Sequence, residues 1–166
     1  NFIDTRIAYD PYREDRSVED VIIDKKAECY NGALFAVACL LNQGYEASII
    51  EILAREDEEH ILCVYQINGK WGSIAQSKYL GLKGRNPMYA SIRDLVVSYM
   101  EFYMAWDGLY SLTSYTNPVP LSKYKLKWLN DSRVVIRMAK DIRKSKHIVL
   151  VRDNDPKYYA SPERYW

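Results

Sequence analysis

Two residues in this 166-residue chain have the types and the placement for thiol chemistry: Cys29, heading a long apolar run, and His60, heading a β-like segment. A cysteine attacks only as its thiolate. Its pKa, about 8.5 when free, falls at a helix N-terminus and beside an imidazolium. Cys29 stands where unpaired backbone N–H groups and the helix dipole favour negative charge, and its own N–H is available to an oxyanion. His60 would take the thiol proton and return it to a leaving group. His147, the second histidine, follows a basic helix at the far end of the chain. The competing readings are structural: a helix-capping thiol, and a histidine whose pKa the acidic run Glu56-Asp57-Glu58-Glu59 simply raises.

The elements that must position this pair are legible as patterns. Residues 29–43 are apolar on every face for over two turns and end at Asn42-Gln43-Gly44, which predicts a central buried helix. Residues 46–53 and 61–67 read as strands, and Asn68-Gly69 as a two-residue hairpin turn into a third strand over 70–75. The expected result is a meander of antiparallel strands with the helix on one face. Before it, residues 1–16 are charged and suit an exposed lead-in, and Ser17-Val18-Glu19-Asp20 forms a capping box for a short helix. After it, a loop marked by Gly81, Gly84 and Asn86-Pro87 leads to a helix from about Ser91 to Trp106. Residues 115–121 read as a loop or edge segment. Asp131-Ser132 caps a helix to about Lys144, a strand covers 147–151, and an aromatic tail closes the chain.

The order of parts resembles the core of the transglutaminase-like superfamily, a branch of the papain-like cysteine fold. The residues that carry the resemblance are Cys29, Gly44-Tyr45-Glu46-Ala47, His60 and Asn68-Gly69-Lys70-Trp71, within about residues 20–80. It implies a thiol acyl-transferase or amide or peptide hydrolase working through a Cys29–His60 dyad. The family pattern also places an aspartate after the tryptophan to orient the histidine. Here Trp71-Gly72-Ser73-Ile74-Ala75-Gln76-Ser77 puts Ala75 in that slot. Ser77, Gln76 or a water is left to orient His60, and a neutral partner stabilises an imidazolium less than a carboxylate does. The substitution at Ala75 supports the alternative, a catalytically inactive domain that binds a peptide or partner protein in the remnant cleft.

Composition narrows the rest. The chain, with 48% hydrophobic residues, suits one α+β domain over 1–166, with its core at about 17–80, C-terminal helices and strand at 88–151 and the tail at 152–166. A net charge of +1 argues against nucleic acid as a partner, and the resemblance implies a peptide or protein substrate. The longest apolar run, Ala33 to Leu41, is far short of the roughly 18 residues of a membrane span. Three cysteines read as reduced thiols and point to the cytoplasm, although a start at Asn1 leaves room for a removed signal segment. No cofactor or metal is expected, because two distant histidines and no C-x-x-C make no ligand set. Oligomeric state is left open.

Overall fold

The computed structural model describes residues 2–150. In chain order it contains α1 (Phe2–Arg6), β1 (Ala8–Tyr9), α2 (Val18–Asp24), β2 (Lys26–Ala27), α3 (Cys29–Asn42), β3 (Ala47–Ala54), β4 (His60–Ile67) and β5 (Lys70–Ile74). There follow β6 (Arg85–Tyr89), α4 (Ile92–Val97), β7 (Leu112–Thr116), α5 (Ser132–Arg143) and β8 (His147–Val149), with short 3-10 turns between them. Mixed helix and antiparallel sheet make this an α+β fold. The main sheet has six strands in the order β6-β5-β4-β3-β7-β8, every neighbouring pair antiparallel.

The sheet separates two apolar layers, and strand alternation decides which side chain enters which. On β4, Ile61 and Cys63 face the layer that holds α3, together with Leu34, Val37, Trp128, Val135 and Met138. Leu62 and Val64 face the other, with Leu95, Tyr99 and Tyr103. Helix α3 is buried from Tyr30 to Val37 because no side of it is polar enough to face water. At the hairpin, Asn68 and Gly69 both take positive φ, 51° and 74°, the geometry of a turn that continues the strand twist. The capping box at Ser17 forms as its spacing requires: Ser17 Oγ accepts from the Asp20 N–H, and Asp20 accepts from the Ser17 N–H.

Four segments differ from their sequence patterns. The charged N-terminal lead-in is packed: Ile3 and Ile7 are buried, β1 pairs in parallel with β2, and Arg16 is buried with ion pairs to Asp10 and Asp24. The Pro- and Gly-marked stretch contains a strand, β6, whose edge position leaves no ladder bond for Pro87 to break. The helix expected over 91–106 ends at Val97, where the Ser98 hydroxyl donates to the Leu95 carbonyl at 2.6 Å and Tyr99 turns into the core. Strand β7 begins before the segment read as a loop and pairs with the central strand β3. The aromatic tail at 152–166 lies outside the described residues. Among the described residues no helix is long and apolar enough to cross a membrane.

Candidate functional site

Helix α3 delivers Cys29 to the rim of a cavity of about 310 Å³. Six carboxylate side chains line it: Glu14, Glu28, Glu51, Asp57, Glu58 and Glu59. They come from the lead-in, the residue before α3, strand β3 and the β3–β4 connection. Arg143 of α5 is the basic residue on this wall, and it is engaged with Glu59 at 3.1 Å and Glu14 at 3.8 Å. Glu51 is buried and meets His147 Nε2 at 3.0 Å. A smaller adjoining cavity of about 40 Å³ shares Tyr9, Cys29, Asp57, Glu58 and Glu59 with the first and adds His60, Gln76, Ser77, Lys78 and Tyr103.

The environment of Cys29 is the opposite of what activates a thiol. Glu28 is the N-cap of α3 and accepts the N–H groups of Tyr30 at 2.8 Å and Asn31 at 2.7 Å. The negative charge that a helix N-terminus favours is therefore supplied by Glu28. The Cys29 thiol itself donates to Glu28 Oε2 at 3.1 Å. Burial first, and the Glu28 charge second, push the thiol pKa well above its ordinary value, against the pull of the Ile61 and Tyr30 N–H groups. Burial also raises the Glu28 pKa, opposed by its N–H partners and by the thiol.

His60 is buried, and its Nε2 meets the Leu82 carbonyl at 2.8 Å. It shares the parity of Leu62 and Val64, so it leaves β4 on the face away from α3, although it reaches the same small cavity as Cys29 at the strand end. Burial holds its pKa down at about 4, with the nearby Arg85 charge acting in the same direction. The acidic run before it does not raise it, because Glu56 to Glu59 are exposed to water while the ring is not. No hydrogen bond joins Cys29 to His60 among the described residues; each is held by another partner.

The two polar residues expected to orient His60 are occupied elsewhere. Gln76 donates to the Ile7 carbonyl at 2.7 Å and accepts from the Ser77 N–H, while Ser77 Oγ accepts from the Tyr79 N–H. Gln76 packs so closely on α3 that a Cβ at Gly32 would come within 2.6 Å of its own, which explains the glycine in the first turn. Ala75 is buried in the second apolar layer. The Leu82 carbonyl takes the place of an orienting side chain, and the loop that presents it is set by Arg85. Its guanidinium donates to the carbonyls of Gly81 at 2.6 Å and Lys83 at 2.8 Å and lies 4.0 Å from the centre of the Tyr99 ring. Glu28, Arg85 and Tyr103 were not singled out by the sequence patterns. Glu28 carried a usable signal, an acidic residue directly before a predicted helix.

The three cysteines are unpaired. Compared with known proteins, the chain matches no family model and no curated protein.

Proposed function

We propose that this chain is a non-catalytic binding domain, built on a transglutaminase-like frame, that holds a peptide or a segment of a partner protein in the cleft beside Cys29. The observation that carries the reading is the thiol's partner. A nucleophilic cysteine needs positive potential, whereas Cys29 gives its hydrogen to a carboxylate and faces more carboxylates across the cavity. The imidazole beside it is neutral, buried and committed to a backbone carbonyl. What remains is a concave, pre-formed site of the size that ligand clefts occupy, about 300 to 1,000 Å³.

One observation favours a second reading, a cysteine acyl-transferase or hydrolase: Cys29 and His60 line the same small cavity. In that reading His60 takes the thiol proton, and the Leu82 carbonyl orients the ring.

The binding reading is tested by selection from a random peptide library, using the full chain and a Pro11→Trp variant that fills the exposed rim of the cavity. Enrichment by the full chain is expected, with loss in the variant at unchanged melting temperature. No enrichment, or equal enrichment by both proteins, would overturn it.

A further inference from the structure

We infer that the occupant of the cleft is the guanidinium of an arginine side chain, presented by a peptide segment. This rests on reading the cleft as a peptide site and goes on to name the chemistry that fills it. Three carboxylates around the thiol lack a cationic partner among the described residues. Glu28 is held by backbone N–H groups and by Cys29, Asp57 accepts the Glu58 N–H at 2.8 Å, and Glu58 makes no side-chain ion pair. Arg143 is satisfied by Glu59 and Glu14, and Lys78, on the wall of the smaller cavity, lies with its ammonium 4.9 Å from the centre of the Tyr79 ring. The mouth of the cavity is left with more negative than positive charge, an arrangement that attracts cations.

A second, independent observation lies on the wall of the adjoining cavity, which shares Cys29, Asp57 and Glu58 with the cleft. Tyr103 is 2% exposed, and its hydroxyl is buried without a hydrogen-bond partner. The ring stands on the wall of the smaller cavity with Asp57, Glu58 and Cys29. A buried hydroxyl left unpaired costs free energy, and a donor entering this cavity would remove that cost.

Two features select a flat, many-donor cation over a point charge. The acidic groups come from different elements of the fold, and among the described residues no three of them converge as a metal-ligand set. A guanidinium offers five N–H donors in one plane, enough to serve several of these separated acceptors at once, which a compact ammonium cannot. Tyr9, which lines both cavities, supplies an aromatic wall on which that plane can stack.

The test titrates the whole 166-residue chain with acetyl-Ala-Ala-Arg-Ala-Ala-amide and with the same peptide carrying citrulline or lysine, reading Kd by NMR. Citrulline keeps the shape and loses the charge, so binding is expected to weaken about tenfold or more, and lysine is expected to bind several-fold more weakly than arginine. Asp57→Asn combined with Glu58→Gln, both exposed positions, should remove most of the preference for arginine at unchanged stability. Tyr103→Phe should weaken the arginine peptide several-fold without destabilising the fold, since the lost hydroxyl has no partner to leave behind. Equal affinity for the arginine and citrulline peptides, or an arginine preference that survives the double variant, would overturn the inference. If library selection yields cleft-dependent peptides without arginine, the inference fails while the binding site stands. If no peptide binds at all, both fail.

Discussion

At pH 8 the native protein will be alkylated at Cys29 by iodoacetamide at least about tenfold more slowly than the urea-unfolded chain, because each unit by which a pKa exceeds its unfolded value removes about nine-tenths of the reactive thiolate. The cause is local. Cys29 is half-buried with its sulfur desolvated by the surrounding packing, and its hydrogen-bond acceptor is an acid that becomes a repulsive neighbour when the thiol ionises. Glu28→Gln removes the charge and keeps one side-chain acceptor oxygen for the Tyr30 and Asn31 N–H groups, which the two carboxylate oxygens now accept separately, so the Cys29 rate should rise several-fold. His60→Ala should leave the rate almost unchanged, since the imidazole makes no hydrogen bond to the sulfur. Peptide-resolved mass spectrometry over a time course separates Cys29 from the half-buried Cys39 and the buried Cys63. Native labelling faster than unfolded, slowed by His60→Ala, would establish an activated dyad instead.

The second large effect is on stability in mild acid. His60 titrates near 6.5 when unfolded and at about 4 when folded, so between those values the unfolded chain binds more protons. Unfolding free energy should therefore fall as pH drops from about 6.5 to 4, by about 3 kcal/mol in total from this residue, and be unaffected by it above that window. His60→Gln retains a donor for the Leu82 carbonyl and carries no titrating group. Denaturant unfolding of both proteins at pH 7.0, 5.5 and 4.5 should show the wild type losing more stability than the variant at each step. Parallel curves would mean that the ring is not held neutral.

What could be read from the sequence, and what could not, follows from how local each signal is. The central helix, the Asn68-Gly69 hairpin and the capping box at Ser17 are specified within a few residues, and each forms as its pattern requires. Strand β6 was hidden because Pro87 and the two glycines before it speak for a loop, and only the edge position in the assembled sheet makes them tolerable. The packing of α1 was hidden because Ile3 and Ile7 are two apolar residues in a charged stretch, buried by partners far along the chain. The site divides in the same way. That Cys29 heads a helix was legible, and so was the absence of an acid at Ala75. The electrostatics were not, because Glu58 and Glu51 meet Glu28 at the cavity only once the β3–β4 connection folds over the start of α3. Arg85 illustrates the same limit: it ties down the Gly81 and Lys83 carbonyls on either side of Leu82, whose own carbonyl meets His60, from a position that a linear reading assigns to a loop.

The chemistry of the cleft turns on the protonation state of one sulfur, and this can be observed directly. Cysteine labelled with carbon-13 at Cβ reports thiol against thiolate by chemical shift. The Cys29 resonance should keep its thiol position from pH 6 past pH 9 in the native protein, and should move toward thiolate at lower pH in Glu28→Gln than in the wild type. A native Cys29 signal at the thiolate position at pH 7, returning to the thiol position in His60→Ala, would contradict the binding-domain account and make this chain a cysteine enzyme.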